Sequence, residues 1–486
     1  MSPPPDADTD LARFRAALYA TGLGQRKDSL FETIDAVLTA PGPETLARLS
    51  LAPGFHRGWA SVPDGLASGT LHVDAVRALL VRTLPPLPSR ELLRPLWVGD
   101  ASTWPRPEAK TSPERTYCHR VTAGVPQSGI VAGWEYHWLV AVPEATGSWV
   151  LPLDVTRRAP PPAPKEGTPK EGTPKEGTPK DTPTALVIRQ LRDVLAVGEH
   201  APPDATDATD ATRPVVALDS NYDPVGIVRA QHEPAGLAVD AVVRVASHRV
   251  FFQEPGAYPG KGRPRVHGAV FRCKDPTTHG PPARQATLED ANYGTVIVNA
   301  WTGLHVRHAP DVPFTLVQVQ VSRLPRRERP PAPLWLAWLG GPLPDDLLLV
   351  WRWYLRRFTV EHGLRFSKQT LGWTTVRPRD PAAADRWTWL VALALWQLWL
   401  ARGLLADARL PWEAPQSPER RSPGRVRRAF PSLFVQIGTP AKPAKPRGKS
   451  PGRRPGQAPG PAPRCAVVRR TPKRPKRPKK RLAAAA

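Results

Sequence analysis

Cysteine is scarce in this chain: Cys118, Cys273 and Cys465 are far apart and form no C-x-x-C pair. A disulfide framework and a cysteine-built structural zinc site are therefore excluded as sources of stability, which fits a reducing cytoplasm. Long apolar runs are missing too. The strongest candidate, residues 387–405, is interrupted by Gln397 and Arg402. It falls short of the about 18 unbroken apolar residues a membrane span needs, so it reads as a buried helix. The opening segment MSPPPDADTD is acidic and proline-rich, unlike a signal peptide. The expectation is a protein with no membrane association.

Acidic residues are the minority, 43 against 68 Lys and Arg, for a net charge of +25. Such a balance calls for a polyanionic partner, most often nucleic acid. The charge is uneven: residues 441–482 carry 16 Lys or Arg and no acid, so most of the surplus lies in a tail. An apolar fraction of 41% leaves enough for two or three domains with real cores.

Helical spacing of Leu11, Phe14 and Leu18, then of Leu30, Ile34 and Leu38, predicts a helical module over residues 1–88, with Asp10 and Asp28 as N-caps. It reads as a DNA-end-binding domain, or else as a cap that only stabilises the core. Residues 89–237 alternate strand-like runs (96–98, 129–142, 148–155 and PVVALD ending at Asp219) with a helix over 184–197. Low-complexity inserts at 159–183 and 201–213 interrupt them; their Pro, Gly and mixed charge cannot build a core. Residues 238–328 switch to strand alternation and read as a β-rich insertion. Residues 329–412 return to an apolar strand, a helix over 345–366 and a Trp-rich helix. Residues 413–486 are basic and proline-rich, expected to be mostly disordered. The run RRTPKRPKRPKKR suits non-specific phosphate binding, or else is a read-through extension.

Tyr354, Arg357, Glu361 and Lys368 stand in a Tyr-x2-Arg-x3-Glu-x6-Lys spacing. On one helix, at about 100° per residue, all four would share a face about 60° wide. One acid, two bases and an aromatic do not make a core stripe. Asp100 and Asp219 each end an apolar strand, and ligand groups in α/β sheets gather there. Each has a plainer reading: Asp100 as a turn residue, Asp219 likewise with Asp223 as its rival, Glu361 as a surface acid in an i,i+4 pair. Asp154 is taken as structural. Three carboxylates from two strands and a helix suit two Mg²⁺ ions, with Mn²⁺ as a substitute, in a phosphoryl displacement.

The four-residue spacing, with the order Asp…Asp…Glu, resembles the DDE transposases of bacterial insertion sequences. The resemblance covers roughly residues 92–402 and implies an α/β fold with an RNase H-like core and a β-rich insertion between the second Asp and the Glu. It implies Asp100, Asp219 and Glu361 as the metal-binding catalytic triad. It implies Tyr354, Arg357 and Lys368 as contacts to the DNA end, and Trp301 as an aromatic that stacks on a flipped base. The implied activity is cut-and-paste DNA transposition: cleavage at terminal inverted repeats and strand transfer into target DNA, by a homodimer that pairs two ends in a bacterial cytoplasm at the nucleoid. The alternatives are an RNase H-like nuclease without strand transfer and an inactive DNA-binding relative.

Overall fold

The structure is a computed structural model that describes residues 9–86, 92–120, 129–160, 182–197, 213–234, 236–258, 260, 262–325, 330–445, 456 and 460–468. Both low-complexity repeats (165–179 and 204–212) and the basic run 469–481 lie outside the described residues.

Five helices open the chain: α1 (Asp10–Ala17), α2 (Lys27–Thr39), α3 (Leu46–Leu49), α4 (Ser61–Ser68) and α5 (Val73–Arg82). Thr9, not Asp10, caps α1, its hydroxyl accepting from Ala12 N at 3.2 Å. Asp28 lies inside the first turn of α2, where it accepts from the Tyr19 hydroxyl.

The sheet begins with β1 (Leu96–Pro105), β2 (Thr116–Arg120), β3 (Gly129–Ala141) and β4 (Leu151–Arg157). Helix α6 (Pro183–Val197), β5 (Val215–Leu218), α7 (Pro224–His232) and β6 (Asp240–Val245) follow. β3 is antiparallel to β1 and long enough to carry β2 on one half and β4 on the other. β1, β5 and β6 run parallel, and their paired segments 96–98, 215–218 and 241–243 are apolar and buried, as a sheet covered on both faces requires. The remaining strands are β7 (Val250–Phe252), β8 (Val270–Arg272), β9 (Arg284–Asp290), β10 (Gly294–Val306), β11 (Ala309–Val321) and β12 (Leu334–Leu339). They continue the same sheet, because β12 pairs with both β6 and β11. A boundary at residue 238 would place β6 in the insertion; its parallel pairing with β5 places it in the central row instead.

Four helices close the chain: α8 (Leu348–Arg356), α9 (Thr359–Gln369), α10 (Pro381–Ala401) and α11 (Pro423–Ile437). α10 is buried along nearly its whole length, packed on α1, α2, α4, α11 and β4. The opening helices are thus joined to the core through α10, not set apart from it. Among the described residues no helix is long and apolar enough to cross a membrane.

Ahead of the stretch expected to be disordered, the basic segment holds a packed helix. Val426, Phe430, Leu433 and Phe434 recur at helical spacing in α11 and are buried, and Arg427 donates to the carbonyls of Val37 and Ala40 at the end of α2. The high Arg and Pro content hid this apolar face, which only α2 and α10 complete. Further on, Lys442 N donates to Asp28, Cys465 N bonds to the loop before β2, and Val468 bridges Thr116 at the start of β2.

Candidate active site

The parallel pairing of β1 and β5 brings Asp100 beside Asp219; Asp219 directly follows β5, as expected, but Asp100 lies midway along β1 rather than at its end. β1 and β5 pair with Leu96 opposite Val215 and Val98 opposite Ala217. Continued by two residues, that register sets Asp100 beside Asp219, on one face of the sheet. β5 and β6 pair with Leu218 opposite Val243, so the next position across the row is Arg244, which is exposed. An acid, an acid and a base therefore lie in one row across three parallel strands, at the carboxyl ends of β5 and β6, where α/β sheets bind ligands, and midway along β1. Arg244 was missed in the sequence; its one signal is a lone charge inside an apolar strand.

The other four residues arrive on α8 and α9. These are two helices, not one: Arg357, Phe358, Val360 and Glu361 each bond through N to the carbonyl three residues back, a tight turn between them. The expected single helix is corrected, but the side chains still converge. The Arg357 guanidinium lies 3.5 Å from Asp100 Oδ2 and 3.6 Å from Glu361 Oε1. Tyr354 is buried beside it, its ring centroid 5.8 Å from the guanidinium carbon. Lys368 is half-buried, its ammonium 5.6 Å from the Trp373 ring. Burial holds Lys368 below the usual lysine range, and the Asp100 charge opposes that shift.

Burial pushes the Asp100 carboxyl up to about 6; Arg357 pulls it back, while Asp219 and Glu361 push it further. Behind this row, Tyr222 and His137 share a hydrogen bond of 2.5 Å between the hydroxyl and Nε2. Both are buried, and burial pushes His137 down to about 4. His137 lies opposite Ala101 on β3, so the pair ties the turn after Asp219 to the strand beside Asp100. The two residues were not singled out in the sequence; Tyr222, three positions after Asp219, is the visible half of the signal. Asp223 is the N-cap of α7, accepting from Val225 N at 3.3 Å. Asp154 is fully buried and bonded to Arg77, Thr156 and Gln190.

A family model described as DDE superfamily endonuclease matches residues 18–301, more than half of the chain. The chain belongs to the DDE superfamily endonucleases. No curated protein matches it. As a DDE superfamily endonuclease it has DNA as its implied substrate, and such nucleases generally use divalent metals. The match includes Asp100 and Asp219 and stops before Glu361, so the third carboxylate rests on the geometry of α9 alone.

Whether the residues suit a divalent cation can be read from their charge. Asp100 and Asp219 are hard oxygen donors, and burial of the Asp100 charge outweighs the pull of Arg357, a cost that a divalent cation such as Mg²⁺ or Mn²⁺ would relieve. Glu361 is held differently. Its side chain is 52% exposed and paired to Arg357, and among the described residues no three His, Cys, Asp or Glu side chains form one ion-holding group. The two aspartates are the residues that could hold a cation, and Arg357 lies between Asp100 and Glu361, paired to both.

Gly363 decides how near α9 sits. A Cβ there would come within 2.2 Å of Val150 Cγ2. Gly363→Ala is expected to destabilise the protein by about 1–3 kcal/mol, measured by urea unfolding. Unchanged stability would mean that α9 does not depend on this close approach.

Trp301 does not fulfil its expected role in this conformation. It is only 7% exposed, packed against Phe271, His279 and Trp335, with its Nε1 donating to the Gly280 carbonyl. A base-stacking aromatic needs a free face. β10 turns this tryptophan into the core of the strand-rich half, which alternation alone could not reveal.

Proposed function

We propose that this DDE superfamily endonuclease is a cut-and-paste DNA transposase built on an RNase H-like core. The observation that carries the reading is the convergence of Asp100, Asp219, Glu361, Arg357 and Lys368 at the end of the parallel row. The strand arrangement supports it: β3 antiparallel to β1, with β1, β5 and β6 parallel, and extra strands before the helix that carries Glu361.

Asp100 and Asp219 would hold a divalent cation, and Glu361 would complete the set. Bound cations would supply Lewis-acid stabilisation of the attacking and leaving oxygens in an in-line displacement. Arg357 has a second partner available, the scissile phosphate. A phosphate near Arg357 competes with both carboxylates for the guanidinium, and its bidentate fork suits that anion. Turning toward DNA, Arg357 frees Asp100 and Glu361 at the moment substrate arrives. Lys368 adds a point charge beside the same phosphates, and Tyr354 packs Arg357 in place. A transposase must hold two ends at once, so a homodimer on paired terminal inverted repeats is the assembly proposed.

The test is an excision and integration assay with the gene's flanking DNA as a mini-element. Excised and reinserted product from the parent, lost in Asp100→Ala, Asp219→Ala and Glu361→Ala, is the expected result. Cleaved ends that never join would assign a nuclease without strand transfer. Specific end binding with no cleavage would assign a DNA-binding relative.

A further inference from the structure

A second basic site lies at the far end of β1. The loop that follows this strand meets the segment after α9, and between them is a cavity of about 570 Å³ lined by Arg106, Glu108, Thr111, Ser112, Arg377 and Arg379, with Ala109. Three guanidinium groups face one carboxylate. Glu108 is shared: it pairs with Arg377, and its Oε1 is 3.6 Å from Arg106 Nε. Among the described residues Arg379 has a carbonyl and no acid as its partner at this site, donating through Nε to Thr111 O at 3.2 Å. Arg106 is almost fully buried and donates to Pro378 O at 2.6 Å. Immediately behind, Arg115 is buried as well, bonded to the carbonyls of Ser112, Arg106 and Cys465. Burial pushes Arg106 below the usual arginine range; Glu108 opposes this, and Arg377 and Arg115 push it further down. The cavity therefore keeps a surplus of positive charge that no side chain of the site neutralises.

Two later residues, Cys465 and Val468, also bond beside this loop. Cys465 N donates to Lys110 O at 2.8 Å and Val468 N to Arg115 O at 2.7 Å, and Val468 bridges Thr116 at the start of β2.

We infer that the Arg106–Arg377–Arg379 cavity binds the sugar–phosphate backbone of DNA, as a subsite separate from the carboxylate row; this rests on the transposase reading. Planar guanidinium forks match phosphate oxygens, and one acid among three bases leaves room for an anion. Six residues of extended β1 separate Asp100 from Arg106, about 20 Å at the rise of a strand. At about 3.4 Å per nucleotide along a duplex strand, the contacted phosphate lies about six nucleotides from the cleavage point.

The experiment measures duplex-DNA affinity against salt for the full chain, for Arg377→Ala/Arg379→Ala, and for Arg377→Lys/Arg379→Lys. Both arginines are exposed, so folding is not at risk. Each lost phosphate contact lowers the slope of log K on log salt by about 0.9. The expected result is a slope about two units shallower in the double alanine variant and restored with lysines. Phosphate-ethylation interference about six nucleotides from the cut, absent in the alanine variant, is expected alongside. An alanine variant with the parent's slope, while the parent binds DNA, overturns this subsite alone. Inorganic phosphate binding lost in the alanine variant with an unchanged DNA slope also overturns it, assigning a free anion. A parent that binds no DNA removes the transposase reading with it.

Discussion

Glu361→Gln is expected to abolish DNA cleavage and leave DNA binding intact. The substitution keeps the shape of the side chain and removes one negative charge. Glu361 is more than half exposed in the first turn of α9, so folding depends little on it. Its ion pair with Arg357 is an i,i+4 contact of a kind that contributes about 0.5 kcal/mol or less. On the proposed reading, Glu361→Gln also removes a cation ligand, which is another matter. Lewis-acid stabilisation of the transition state amounts to several kcal/mol, so cleavage should fall about 10³-fold or more. Single-turnover cleavage of an end substrate beside a binding titration separates the two effects. Cleavage within tenfold of the parent, with binding retained, would take Glu361 out of the chemistry and leave Asp100 and Asp219 to act with some other group.

The second large effect concerns stability and has the opposite sign from most core substitutions. Asp100→Asn is expected to stabilise the protein by about 3 kcal/mol at pH 7 in chelator-treated buffer. Burial and the neighbouring carboxylates raise Asp100 from an ordinary 3.8 to about 6. The folded state therefore binds this proton more tightly than the unfolded state, and the stability it confers is present below pH 3.8 and lost as pH rises through 6. Asparagine mimics the protonated form and removes the loss. His137 works against it across almost the same window. Its folded value is depressed from 6.5 to about 4, so it costs nothing above pH 6.5 and about 3 kcal/mol once pH has fallen through 4. In the parent the two nearly cancel between pH 4 and 6. In Asp100→Asn only the His137 contribution remains, and stability should rise steadily from pH 4 to 6.5. Urea unfolding at a series of pH values reads both; a variant no more stable than the parent at pH 7 would mean that Asp100 is not held under this electrostatic load. A carboxylate kept at such cost is what a cation-binding site needs, since cation binding recovers the lost stability.

Much of this site could be read in one dimension because its parts are short-range. The 354–368 spacing is local, and the apolar runs that end at Asp100 and Asp219 are strands in the structure. Locality also explains the error in that stretch. A face computed for an uninterrupted helix ignores the tight turn at Arg357 and Phe358, which is set by how α8 and α9 pack on different parts of the sheet. Tyr222 and His137 were out of reach for a related reason: 85 positions separate them, and the bond between them exists only because β3 pairs with β1.

The amino-acid order by itself determined most of the elements, the basic charge and the candidate acids, because periodicity, apolar runs and charge are properties of neighbouring residues. Only the tertiary structure decided where those acids meet, that Arg357 lies between two of them, that Trp301 is enclosed, and that α11 packs on the body of the protein and Cys465 and Val468 bond to it. Those outcomes depend on strand register and on contacts between residues far apart in the chain, and burial and electrostatic fields arise only once such contacts form.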